Sequence, residues 1–158
     1  MRLRIATFTH PWETLRPLIE RYHTGVEIQH FCGHTILDDP AETLTEIDRH
    51  LPRGGRSMHG YFYSMNPGAY DPLVRDAALY RYRQTYAVAK ELGAGHIVFH
   101  TGFNFPFPPD RYTYENFNAF WDTFLRDTED GIEFHIENMF EKRWEHHRDF
   151  VAAADSPR

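Results

Sequence analysis

The chain has 158 residues, 41% of them hydrophobic, and a formal net charge of −6, which is the composition of a globular protein with a real core. The acidic balance argues against nucleic acid as the main partner, and no apolar run is long enough to span a bilayer. The single cysteine, Cys32, excludes an internal disulfide framework. The first residues lead directly into a predicted strand, so we expect no signal peptide, and the single cysteine fits a cytoplasmic protein.

Strand and helix patterns alternate along the whole chain. Period-two alternation predicts the strands, and helical spacing with cap residues predicts the helices. Pro11 and the pair Asp71-Pro72 mark helix starts, whereas Gly25 and Gly93 mark helix ends. The predicted strands cover residues 3–8, 26–31, 57–63, 96–100 and 132–140. The predicted helices cover about residues 11–23, 40–51, 72–92, 113–127 and 143–154, the fourth capped by Thr113.

Repeated strand–helix units predict an α/β fold with a mainly parallel sheet and right-handed crossovers. The chain contains no linker, so we expect a single domain over residues 1–158. Two architectures remain open: a doubly wound sheet, or part of a (β/α)8 TIM barrel, which needs eight units and about 250 residues. The chain offers about five strand–helix units. If they form a segment of a barrel, as we expect, the strands lie in the order 1-2-3-4-5, whereas a doubly wound sheet has the order 2-1-3-4-5.

Polar side chains lie at or near the ends of three predicted strands. His59 lies in the third strand, His100 ends the fourth and Glu137 ends the hydrophobic part of the fifth. The carboxyl ends of adjacent parallel strands meet at one edge of a sheet, where α/β proteins place their chemistry. Two imidazoles and a carboxylate are donors that zinc or manganese accepts. Taken singly, each histidine has a simpler structural explanation, but three coincident strand ends favour a metal half-site.

Further polar and aromatic residues near these strand ends are candidate substrate contacts. His30 stands beside Glu27 and Gln29 at the end of the second strand, where a polar network inside a barrel explains them equally well. Tyr61 follows His59 and could form a wall of a sugar or base pocket, with local packing as the alternative. These assignments stay open at the level of the sequence.

Three short motifs resemble those of the xylose-isomerase-like TIM barrels. They are residues 59–61 (HGY) with Asn66 downstream, residues 99–102 (FHTG) and residues 136–138 (IEN). The resemblance covers essentially the whole chain through the order and spacing of these motifs. That family includes sugar and sugar-phosphate isomerases and epimerases, and also endonuclease IV.

The resemblance implies a metal-dependent sugar or sugar-phosphate isomerase or epimerase. In the endonuclease IV branch, the positions matching His59, His100 and Glu137 are zinc ligands. In the isomerase branch, the position matching Glu137 is a metal ligand that can act in proton transfer next to a carbonyl. The expected cofactor is therefore zinc or manganese, and the expected partner is a small-molecule sugar or sugar phosphate; formation of a homo-oligomer stays open. The candidate substrate contacts are Tyr61, Asn66, His30 and Asn138.

The family's later strands supply an Asp, a His and a final Glu to the metal site, and these strands have no counterpart among the 158 residues. The chain therefore resembles the first five-eighths of a barrel, and we expect an incomplete metal site. Two other functions remain open. One is an endonuclease-IV-like zinc phosphodiesterase acting on abasic DNA, which the acidic balance disfavours. The other is a non-catalytic barrel fragment.

Overall fold

The computed structural model describes residues 4–7, 11–103, 106–128, 131–139 and 141–154. These residues form parallel strands that alternate with helices, as the sequence predicts. The strands are β1 (Arg4–Ala6), β2 (Gly25–Ile28), β3 (Arg56–His59), β4 (His96–His100) and β5 (Glu133–Glu137). The helices are α1 (Trp12–Tyr22), α2 (His34–Asp38), α3 (Ala41–His50), α4 (Pro72–Leu92), α5 (Arg111–Arg126) and α6 (Trp144–Ala154).

The strands lie side by side in the order β1-β2-β3-β4-β5, and every neighbouring pair is parallel. This order confirms the prediction of a partial TIM barrel, because a doubly wound sheet would place β1 between β2 and β3. No helix in the described ranges is long and apolar enough to cross a membrane. The cytoplasmic location stays a prediction.

Several predicted boundaries are confirmed and others are wrong. Asp71 caps α4 by accepting a hydrogen bond from the Leu73 amide at 2.9 Å. The predicted cap of α5, Thr113, is instead inside the helix, because Asp110 accepts the Thr113 amide hydrogen bond at 3.0 Å. The first helix, predicted over about residues 11–23, is confirmed as Trp12–Tyr22, but the left-handed residue that ends it is His23, with φ 48°, and Gly25 already begins β2.

Four predicted strands run past the observed ones, and among them β1 ends at Ala6 and β5 at Glu137. The second ends at Ile28, and a short 3₁₀ helix (His30–Cys32) and α2 follow it, neither of which the sequence patterns predicted. The third ends at His59, four residues earlier than predicted. Residues 3, 8 and 140, at the predicted ends of the first and fifth strands, lie outside the described ranges.

The two faces of the sheet differ in polarity. One face packs on the helices, and Phe99 of β4 stacks on Tyr82 of α4 with ring centroids 3.9 Å apart. Residues that alternate with this apolar set point to the opposite face, which corresponds to a barrel interior. That second face is unusually rich in polar and ionisable side chains. It carries Glu27, Ser57, His59, His96, His100, Glu133, His135 and Glu137.

A buried arginine fastens the amino-terminal edge of the sheet to two helices. Arg56, the first residue of β3, is 1% exposed. Its guanidinium pairs with Asp48 at 2.6 Å and donates to the carbonyl oxygens of Leu51 at 2.6 Å, Pro52 at 2.8 Å and Leu92 at 3.2 Å. Because a buried guanidinium is costly without partners, this full set of acceptors makes the burial tolerable.

We predict that Arg56→Ala lowers the free energy of unfolding by about 3 kcal/mol, because buried carbonyl oxygens lose their donor. Urea denaturation at neutral pH measures the change. The matched control is Arg53→Ala, which removes the exposed partner of the same Asp48 carboxylate and should cost no more than about 0.5 kcal/mol. Equal losses for the two variants would contradict this role of Arg56.

A second cluster of ionisable groups lies on the polar face, near the amino-terminal edge. His96 stacks on His135 with ring centroids 4.4 Å apart, and His135 Nε2 lies 3.3 Å from Glu133 Oε2. Burial lowers the pKa of His96 to about 4, the positive charges of Arg4 and His135 act in the same direction, and Glu133 opposes them. The fold therefore holds His96 as a neutral imidazole.

We predict that His96 makes the protein less stable in acid. Its folded pKa lies below the ordinary value of 6.5, so the unfolded chain binds the proton more tightly. Stability should fall as the pH drops from 6.5 towards 4, with a contribution from His96 on the order of 2 kcal/mol. Urea unfolding at several pH values across that range measures this change. The free energy of unfolding should depend less steeply on pH in His96→Phe, which keeps the ring stacking. His34→Asn, at an exposed position, is the control, and an unchanged slope in His96→Phe would refute the assignment.

Candidate metal centre

The three predicted metal ligands meet at the carboxyl edge of the sheet. Each is the last residue of its strand: His59 ends β3, His100 ends β4 and Glu137 ends β5. Glu137 Oε2 lies 3.3 Å from His100 Nε2 and 3.5 Å from His59 Nε2. One donor atom from each residue lies within 4.8 Å of the other two, and no other such group of His, Cys, Asp or Glu occurs within the described ranges.

A backbone contact fixes the orientation and the tautomer of His59. Its Nδ1 lies 2.9 Å from the carbonyl oxygen of Gly60, which can only accept, so Nδ1 carries the proton. In the neutral tautomer with the proton on Nδ1, Nε2 offers its lone pair on the side of Glu137, as a metal ligand requires. Gly60 itself must be glycine, because a Cβ there would lie 2.4 Å from the ring of Phe99.

The environment of His100 favours the neutral imidazole that binds metals. Burial lowers the pKa of His100, the neighbouring His59 acts in the same direction, and Glu137 opposes both. The rings of His59 and His100 meet edge to face, with centroids 4.9 Å apart. Phe62 packs against both, with centroid distances of 5.2 Å to His59 and 4.9 Å to His100. Little room remains for either ring to turn.

The buried cysteine contacts the metal-ligand group without joining it. Cys32 Sγ lies 3.7 Å from Nδ1 of His59, the nitrogen on the opposite side of the ring from Nε2. Burial, and then the charge of Glu27, raise the pKa of the Cys32 thiol to about 12. This raised pKa keeps the thiol protonated near neutral pH, and Cys32 is not part of the group of converging donor atoms.

The three side chains open into a cleft of about 520 Å³, which is within the usual range of roughly 300–1,000 Å³ for small-molecule sites. His59 and His100 are buried in its floor, whereas the Glu137 side chain is 51% exposed and reaches into the open space. The cleft is lined by Glu27, Gln29, Cys32, His59, Phe62, Tyr63, Val98, His100, His135, Ile136, Glu137 and Met139.

The donor set fits a divalent metal ion. Catalytic zinc sites commonly have three protein ligands, drawn from imidazole and carboxylate groups, and one open position. Two imidazole nitrogens and one carboxylate oxygen within 4.8 Å of one another, with the carboxylate half exposed, meet that description. Manganese also accepts these donors, so the residues fit either ion.

The predicted substrate contact Tyr61 does not line this cleft. Its side chain is 8% exposed and packs towards α4, with the guanidinium of Arg81 5.3 Å from its ring centroid. Had the strand continued to residue 63 as predicted, period-two alternation would have put Tyr61 on the same face as His59. Because the strand ends at His59, the alternation is broken at Gly60. A substrate role for Tyr61 stays a prediction, with no support from its position.

The other three predicted substrate contacts also lie outside the cleft lining. His30 stacks on Trp12 of α1 with centroids 4.7 Å apart and lies 3.1 Å from the Thr7 hydroxyl. Asn66 accepts the Gly68 amide hydrogen bond at 3.1 Å and lines a neighbouring groove. Asn138 follows Glu137 directly and is exposed. Their roles stay predictions.

Sequence reasoning missed the aromatic wall of the cleft. Phe62 and Tyr63 lie on the loop after β3, their ring centroids are 4.4 Å apart, and both line the cleft with Met139. The signal that could have identified them is Gly60 directly after a polar strand end. A glycine there often marks a turn or a close backbone approach, and either one shifts the alternation of side chains.

Comparisons with known proteins agree on the architecture. The family model described as a xylose isomerase-like TIM barrel matches residues 23–158. The TTHB071 protein from Thermus thermophilus, in a crystal soaked with ZnCl2, is 24% identical with a TM-score of 0.71, over 98% of this chain and 62% of that one. A D-tagatose 3-epimerase-like protein is 19% identical with a TM-score of 0.70, over 99% of this chain and 62% of that one.

A D-allulose 3-epimerase from Methylomonas sp., in complex with D-allulose, is 16% identical with a TM-score of 0.66, over 99% of this chain and 60% of that one. The chain thus spans about three-fifths of the length of these structures. No curated protein matches it significantly. At these identities the likeness shows the fold, which is the partial barrel that the strand order indicates.

Proposed function

The chain belongs to the xylose isomerase-like TIM-barrel family, as its motifs predicted, and we propose that it carries the metal half-site of a sugar isomerase or epimerase. The observation that carries this proposal is the convergence of His59, His100 and Glu137 in one cleft. The chain spans about three-fifths of the length of its structural neighbours. Any activity that needs a complete barrel is therefore proposed and not observed.

In this proposal His59, His100 and Glu137 hold a zinc or manganese ion. When bound, such an ion polarises a sugar carbonyl and its neighbouring hydroxyl. The two imidazoles hold their Nε2 atoms towards one point because Phe62 packs against both rings. Glu137 has the exposure that proton transfer needs, since its carboxylate reaches into the cleft and can take a proton from the carbon next to the carbonyl.

The charges around the cleft support an uncharged sugar over a sugar phosphate. Within the described part of the chain, the cleft lining includes the carboxylates of Glu27 and Glu137 and contains no lysine or arginine. A phosphate group would be repelled by these carboxylates and would find no cation there. The neighbour described as D-allulose 3-epimerase is in complex with D-allulose, a sugar without a phosphate group.

A second candidate is a zinc phosphodiesterase of the endonuclease IV type. The pair of imidazoles on β3 and β4 favours it, because that branch of the family is the one whose matching positions are both zinc ligands. The acidic balance and the lack of cations in the described cleft lining disfavour it, since DNA backbones are bound mainly through lysine and arginine. Cleavage of an abasic-site duplex in the presence of zinc, without ketose epimerisation, would establish this alternative.

We predict that Glu137→Gln leaves the fold intact but weakens zinc binding by roughly tenfold or more and lowers ketose turnover by roughly 100-fold. The amide keeps the size of the side chain, but it removes the charge that attracts the metal and the base that takes the proton. Calorimetric zinc titration, a thermal melt without metal, and epimerisation of D-allulose with added manganese or zinc measure the three effects.

The matched control is Glu145→Gln on α6, whose carboxylate pairs with Arg143 on the protein surface. Zinc affinity and turnover should stay at the level of the unsubstituted protein in this variant. Near-normal zinc affinity and turnover in Glu137→Gln would remove that residue from the site and the proposed function with it.

A further inference from the structure

The wall of the cleft formed by the end of β2 is not used by the metal-ligand group. Glu27 and Gln29 both line the cleft and are both half-buried. The Gln29 side-chain amide donates a hydrogen bond to Glu27 Oε1 at 2.9 Å. A carboxylate and an amide that are already paired with each other form a preorganised polar surface.

The backbone amide and the side-chain hydroxyl of Thr7 together hold this pair in place. The amide of Thr7, directly after β1, donates to the Glu27 carbonyl oxygen at 3.1 Å. The Thr7 hydroxyl in turn accepts from the Gln29 backbone amide at 3.2 Å and lies 3.1 Å from Nδ1 of His30. His30 therefore belongs to the framework that supports Gln29, which explains why it lies beside the cleft without lining it.

The atoms that remain available on this wall are hydrogen-bond acceptors. Glu27 Oε2 is not occupied by the Gln29 bond, and Gln29 keeps its side-chain carbonyl oxygen because its NH₂ group faces Glu27. No lysine or arginine in the described ranges forms an ion pair with Glu27. A half-buried carboxylate in this position gains most from ligand hydroxyl groups, which donate to it without adding charge.

We propose that Glu27 and Gln29 bind hydroxyl groups of the substrate and so determine which sugar the cleft accepts. This inference rests on the proposed function, since it assigns a role toward the same substrate. Both residues contact the sugar directly, and they bind hydroxyl groups other than those that lie at the metal half-site. Phe62 and Tyr63 supply the apolar surface of the same cleft, which suits the carbon–hydrogen faces of a sugar.

The test compares zinc binding and sugar binding in Glu27→Ala, Glu27→Gln and the control Glu133→Ala. Glu133 lies on the same polar face but is the first residue of β5, at the other edge of the sheet, and it does not line the cleft. The probes are zinc alone, then D-allulose and its analogues that each lack one hydroxyl, titrated calorimetrically into the zinc-loaded protein. Removing a hydrogen bond to a charged group should weaken D-allulose binding by about tenfold.

The proposal predicts that Glu27→Ala loses this affinity for D-allulose while its zinc affinity is unchanged, and that Glu27→Gln, which still offers an acceptor, regains part of it. The analogue that lacks the hydroxyl bound by Glu27 should have the same affinity for Glu27→Ala as for the unsubstituted protein. That analogue identifies the hydroxyl group that Glu27 binds. Glu133→Ala should bind both zinc and D-allulose normally.

Two results would overturn the inference and leave the proposed function standing. One is unchanged D-allulose affinity in Glu27→Ala, and the other is a loss of zinc affinity in that variant, which would make Glu27 a metal ligand. If the zinc-loaded unsubstituted protein binds none of the sugars, the proposed function fails and the inference fails with it.

Discussion

The contact between Gly60 and the Phe99 ring is the constraint on which the cleft depends. Phe99 is fixed in the core by its stacking on Tyr82, and the chain can pass it after β3 only without a Cβ. The same turn presents the Gly60 carbonyl to His59 and brings Phe62 over both imidazoles. One steric requirement thereby ends a strand, fixes a tautomer and forms a wall of the cleft.

The arrangement of the sheet and the arrangement of the cleft follow different physical rules. The helix-facing side is decided mainly by burial of apolar area, and its charged residue Arg56 is buried there with a full set of hydrogen-bond acceptors. The opposite side carries histidines and carboxylates that are stable there only because they pair with one another or face open space, as His96 does with His135. At the carboxyl edge of the sheet these ionisable groups form the candidate metal site. At the amino edge they make the stability of the fold sensitive to acid.

The fold and the metal-ligand group could be predicted from sequence because each rests on a repeated pattern. Strand–helix alternation gives the strand order, and His59, His100 and Glu137 each end a strand, so parallel packing alone brings them together. The cleft wall could not be predicted in the same way. The predicted contact Tyr61 and the observed wall residue Phe62 exchange places because of one turn, and a pattern of period two reverses completely at a single irregular residue. Long-range pairings such as Thr7 with Gln29 leave no trace in local spacing.

The anchoring of Arg56 has a consequence for how this protein could change over evolution. Its guanidinium ties the ends of α3 and α4 to the start of β3, at the edge of the sheet farthest from the cleft. Structural integrity and chemistry are therefore assigned to opposite ends of the same strands. Loops at the carboxyl edge can acquire new residues, and with them new specificities, without first having to be compensated by substitutions in the framework.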